Sequence, residues 1–198
     1  MSLVPDLVIA ILAAWLGAVI FTRTPHEYVS RVFAWLALLM TSYGTVRAVG
    51  ALTRVAGIKA GAARVENGIS ALLPAVLLHI VLALIGGWRP AQRGALLGAY
   101  LLSGLASLSF LAPWGRRISV RAMERTIAGV PEPVLAWAWL GFRAVILGLA
   151  VWSAWDAWQA ARPGSTRRAQ LSTILAAVIA GAVGGMTMIL SAQLGGPE

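Results

Sequence analysis

The sequence contains no cysteine. Disulfides, iron–sulfur clusters, covalently attached c-type haem and thiol catalysis are excluded together, because each needs that residue. Histidine is nearly as scarce. His26 and His79 are the two in the chain, so a bis-histidine haem would need both to face each other inside the membrane, and His26 falls in a loop. The seven carboxylates (Asp6, Glu27, Glu66, Glu124, Glu132, Asp156 and Glu198) are scattered near the ends of apolar runs. None shows metal-ligand spacing of the His-Glu-x-x-His kind. A nucleophile motif, a phosphate-binding glycine loop and a soluble domain of enzymatic size are missing as well. The expectation is a chain without catalytic turnover, that is, no enzyme.

Charge is also sparse. Charged residues make up 12% of the chain against 59% hydrophobic residues, with a mean hydropathy of +0.80. Soluble domains usually carry about a quarter charged residues. What is abundant is long apolar runs, six of them, separated by short clusters of Arg, Pro and Gly. Each approaches the roughly 20 residues that a helix needs to cross about 30 Å of hydrocarbon, and none alternates with the period of two of a β-barrel strand. The predicted fold class is an all-α integral membrane protein, a polytopic bundle of six transmembrane helices forming a single domain over 1–198. The helices are expected over 3–22, 29–52, 67–88, 94–114, 133–160 and 168–193.

The opening residues of the chain include Asp6 and no Lys or Arg. A signal peptide opens on a basic segment, so helix 1 is expected to remain in the mature protein. The net charge of +9 is spread over the loops, which points to anionic lipid headgroups as partners rather than nucleic acid. Basic residues balance between the two sets of loops. The first helix, with Arg23 and Arg31 after it and no basic residue before it, favours an outside N-terminus. The stretch from Trp114 to Val130, with a helix over 116–129, can place Ile118, Ala122, Met123, Ile127 and Val130 on one side and Arg117, Arg121, Glu124 and Arg125 on another. It reads as an interfacial helix or as a basic loop with a turn of helix.

Within the runs the informative residues are polar, because a charge at the bilayer centre costs at least about 2.5 kcal/mol. Arg143 lies between two tryptophan clusters that would mark the interfaces. It is either the counter-ion of an anionic ligand or of Glu66, or a structural arginine held by helix-end carbonyls or the Trp139 ring one turn away. Tyr43, Ser70 and Thr173 are available as its partners. Arg47, near a helix end, can snorkel. His79 follows Pro74, which frees a carbonyl near Ser70. It could bind a small ligand, sense protons, contact a pigment or haem supplied by a complex, or simply bond to a neighbouring hydroxyl. The candidate ligand-binding residues are therefore His79, Arg143, Glu66 and Tyr43. No metal site and no resident cofactor are expected, and bound lipid is.

The segment order resembles the seven-helix N-terminal membrane region of bacterial sensor histidine kinases. The resemblance rests on AAWLGAVIFTRTPHEYVSRVFAWLALLMTSYGTVRA with its restart at Arg31 and Phe33, on ARVENGISALLPAVLLHIVLAL, and on AWQAARPGSTRRAQLSTILAAVIAGAVGG. It implies a sensory input module in the bacterial cytoplasmic membrane, detecting a small ligand or a membrane state and passing a helix shift to a signalling output protein. The seventh helix and the kinase of that family do not follow the sixth run, which implies a truncated sequence, a split receptor or an accessory subunit. The alternative is an accessory subunit gripping other membrane subunits through its tryptophans and small residues, with a small transporter as a third reading.

Overall fold

The computed structural model describes residues 3–86, 89–111, 126–127 and 130–194. Six helices form there: α1 (Leu3–Arg23), α2 (Tyr28–Leu52), α3 (Ala56–Ile85), α4 (Pro90–Leu111), α5 (Glu132–Ala160) and α6 (Thr166–Leu194). The expected runs and the observed helices agree closely except at the start of α3. That helix begins eleven residues before the expected 67, because Lys59 and Arg64 are themselves good helix formers and, with Ala56, Ala60, Ala62 and Ala63, carry the helix through Gly57 and Gly61. The charges at Arg54, Lys59 and Arg64 had marked this segment as a loop. Its first residues, Ala56–Ala60, are exposed.

Apart from the helices, Thr126–Ile127 pairs antiparallel with Val130–Pro131 in a two-residue ladder. The interfacial helix considered over 116–129 is therefore not continued through Thr126 and Ile127, which are extended. Its other residues, 116–125 and 128–129, lie outside the described residues.

Among the described residues, four helices are long and apolar enough to cross a membrane: Tyr28–Leu52, Ala56–Ile85, Pro90–Leu111 and Trp137–Ala160. With the composition, this points to a membrane protein. The chain divides into two compact units, one of 1–84 with 88–117 and one of 85–87 with 118–198.

In the first unit, successive helices form antiparallel hairpins whose register can be read from paired residues. Thr41 Oγ1 donates to the Ala10 carbonyl at 3.4 Å, and a side chain on Gly17 would collide with the Ala37 methyl at 2.4 Å, so α1 and α2 approach at a glycine. Thr24 and Ser30 hydroxyls meet at 2.5 Å across the turn. Gly68 on α3 packs likewise under Leu111 and Ser107 of α4. Val32, Val76, Ile80 and Ala83 make a buried cluster, flanked by Val29, Phe33, Leu36, Leu39 and Tyr100. α3 is enclosed on a second side too, through Ala71, Ala75, Leu78 and Leu82. In lipid such contacts act through close packing rather than through removal of apolar surface from water. α3 stays helical through Pro74. It ends at Gly86, whose φ of 70° supplies the left-handed stop that only glycine adopts freely. Pro90 then opens α4 at the position where its missing N–H costs nothing.

In the second unit, α5 buries Ile146, Leu147, Ala150 and Ala154, and α6 buries Leu171, Leu175 and Val178. Both sets recur at three to four residues, one face of each helix. The hairpin is latched by Trp158, whose indole N–H donates to Ser172 Oγ at 2.9 Å.

Candidate functional site

Two polar clusters interrupt the apolar interior of the first unit. The first is centred on His79. Counted outward from Arg54 in the α2–α3 turn, Tyr28 lies 26 residues back and His79 25 residues on, so an antiparallel hairpin brings them level. Tyr28 Oη is hydrogen-bonded to His79 Nε2, and Tyr100 Oη of α4 to Nδ1 at 2.8 Å. The rings sit close as well, Tyr28 at 5.7 Å and tilted, Tyr100 at 5.6 Å and edge-on. One imidazole thus ties three helices together.

A neutral imidazole has one donor and one acceptor nitrogen, and the tautomer decides which tyrosine hydroxyl donates and which accepts. The cluster is a hydrogen-bonded chain, Tyr28 to His79 to Tyr100, that can exist in two directions. A metal of a haem or pigment would have to displace one hydroxyl from the ring before His79 could ligate it. His79 stands six residues before the end of α3 rather than at mid-helix, because α3 starts earlier and ends at Ile85. Tyr28, the first residue of α2, is 46% exposed. The chain therefore runs from the surface at one end of the unit to the half-buried Tyr100.

The second cluster lies 13 residues earlier on α3, about 20 Å along its axis. Arg47 Nη1 donates to Tyr43 Oη at 3.2 Å, and Tyr43 Oη donates to Glu66 Oε1 at 3.4 Å. Arg47 Nε stands 3.8 Å from the same carboxylate oxygen, and its guanidinium carbon is 5.5 Å from the Tyr43 ring centroid. The tyrosine bridges the ion pair, which ties α2 to α3 where a lone Glu66 would carry an uncompensated charge.

Of the four candidate residues, Tyr43 and Glu66 come together, with Arg47 as the cation beside them. His79 has its own partners. Arg143, in the second unit, lies with its guanidinium carbon 4.8 Å from the Trp139 centroid, one turn back on α5, and Trp139 stacks on Phe142 at 5.2 Å. Sequence reasoning singled out neither Tyr28 nor Tyr100, and treated Arg47 as a snorkelling residue. Counting outward from the turns would have found the first two. Among the described residues, no group of three or more His, Asp or Glu side chains could hold a metal ion.

Comparison with known proteins finds no matching family model, no matching curated protein and no matching solved structure.

Proposed function

We propose that this chain is a non-catalytic, multi-pass module of the bacterial cytoplasmic membrane that senses a small ligand or a membrane state, with Tyr28, His79 and Tyr100 as the responsive element. The observation that carries the reading is the imidazole shared between tyrosines of two neighbouring helices, one of them half-exposed. A ligand that bonds to the Tyr28 hydroxyl competes with Nε2. The loss is felt at α2, α3 and α4 together, because polar bonds between helices are few in an apolar bundle. That gives two states which a ligand can favour unequally, the requirement for any ligand-driven shift. The resemblance to sensor-kinase membrane regions agrees with this use, and the output would be a separate signalling protein.

All six helices span in this reading. α1 and α6, at 21 and 29 residues, measure about 31 and 43 Å, enough for a hydrocarbon core of about 30 Å. The N-terminus is outside.

A second reading, an accessory subunit of a larger membrane complex, is favoured by α4. Its exposed face carries Leu97, Leu101, Leu105 and Leu108, and Gly94, Gly98 and Gly104 have open space where a side chain would stand. Such a face admits a partner helix closely.

Purification in mild detergent, with mass spectrometry of proteins and small molecules, tests both. A retained small molecule that is lost in Tyr28→Phe supports the sensor. Stoichiometric membrane subunits, retained by the wild type and by Tyr28→Phe but lost in Gly98→Leu, support the accessory role and overturn the sensor.

A further inference from the structure

The α5–α6 turn concentrates charge of one sign. Arg162, Arg167 and Arg168 fall within seven residues, and no carboxylate occurs from Ala157 to Pro197. Arg162 and Arg167 are exposed, the latter giving one amino group to the Ile85 carbonyl. Arg168 is held in place. Its guanidinium carbon lies 4.3 Å from the Trp158 ring centroid, and Nη1 donates to the Ala161 carbonyl at 3.4 Å.

The turn beneath these arginines is built rather than loose. Ser165 Oγ donates to the Arg162 carbonyl at 2.7 Å and accepts the Arg168 N–H at 3.2 Å, while Gly164 takes the left-handed conformation with φ 75°. Trp158 is fixed by its bond to Ser172 and by Trp155, 5.0 Å between centroids. Trp155 and, one turn earlier on α5 and so further from the turn, Trp152 are exposed. Basic side chains at a turn, followed at once by exposed indoles on an apolar helix, match a headgroup plane followed by the acyl boundary.

We propose that this turn binds an anionic phospholipid. Arg162 and Arg167 meet the headgroup phosphate, which guanidinium groups recognise with paired N–H donors. Arg168, stacked on Trp158, supplies fixed positive charge, and Trp152 and Trp155 lie along the acyl chains. The site shares no residue with Tyr28, His79 or Tyr100, so either proposal can fail alone.

The test is native mass spectrometry of the full chain in mild detergent, with phosphatidylglycerol and phosphatidylcholine of identical acyl chains offered separately. The wild type retains phosphatidylglycerol in preference. Each of Arg162→Gln and Arg167→Gln lowers that retention about fivefold, the size expected for one basic residue at an anionic surface, and leaves phosphatidylcholine unchanged. The pair Arg54→Gln, in the α2–α3 turn, and Lys59→Gln, in the first turn of α3, leaves the preference intact. Should the arginine variants fail to fold, the wild type in rising salt gives the same answer, since phosphatidylglycerol is released as charge is screened and phosphatidylcholine is not. Equal retention of both lipids, salt-independent retention, or an equal loss from the α2–α3 pair overturns the proposal.

Discussion

At the residue scale, His79 does more than fill space, because two hydroxyls depend on it. His79→Leu would leave the Tyr28 and Tyr100 hydroxyls without the ring, and a polar group left unsatisfied in an apolar interior costs about 1–3 kcal/mol. The expected outcome is a clear fall in thermal unfolding midpoint in detergent. It should exceed that of Tyr28→Phe, since the exposed Tyr28 is the less costly group to lose; equal midpoints for wild type and His79→Leu would deny the bonds a structural role. Arg47 and Glu66 allow a cleaner measurement. In a double-mutant cycle of Arg47→Met and Glu66→Gln, the coupling should be favourable and about 0.5–1.5 kcal/mol for this partly exposed pair. Zero coupling would mean that the ion pair contributes nothing beyond its separate members. His79 was legible in the sequence because a histidine in an apolar run is rare and expensive. Its tyrosine partners were not: Tyr28, at the start of α2, has an ordinary explanation as an interfacial anchor, and Tyr100, in the middle of α4, is matched to His79 only by counting outward from the α3–α4 turn.

Elements were legible where apolarity alone decides them. Five helices begin and end within a few residues of the run boundaries. α3 does not begin there, because Lys59 and Arg64 favour a helix as much as they favour water, and with four alanines they carry it through Gly57 and Gly61. Contacts between helices are carried by features too small for a pattern search. Gly17 is one. Gly17→Ala would drive a methyl to 2.4 Å from that of Ala37, so α1 and α2 must separate, and stability should fall by about 1–3 kcal/mol. Gly98→Ala meets nothing within 4 Å and replaces a poor helix former, so its stability should be unchanged or slightly raised. Unfolding midpoints of the two variants side by side check this; a harmless Gly17→Ala would show that α1 and α2 do not approach at that residue.

For the whole molecule, the sequence conveyed lipid as the solvent, and the structure adds where polar side chains join neighbouring helices: around His79 and around Glu66 in the first unit, and at Trp158 and Ser172 in the second. The span count follows from labelling. The absence of cysteine leaves no background, so Ser2→Cys and Gly196→Cys, treated separately in intact cells with an impermeant thiol reagent, should react alike if six helices cross. Opposite reactivity would show that an odd number do. The central claim, that His79 is clasped between Tyr28 and Tyr100, is tested most directly by 15N NMR of histidine-labelled protein in lipid nanodiscs. With two histidines in the chain, His79→Gln assigns the spectrum. The account predicts that Tyr28→Phe moves the His79 Nε2 resonance most, that Tyr100→Phe moves Nδ1 most, and that the exposed His26 responds to neither. His79 resonances that coincide with those of His26 and stay in place in both variants would contradict it.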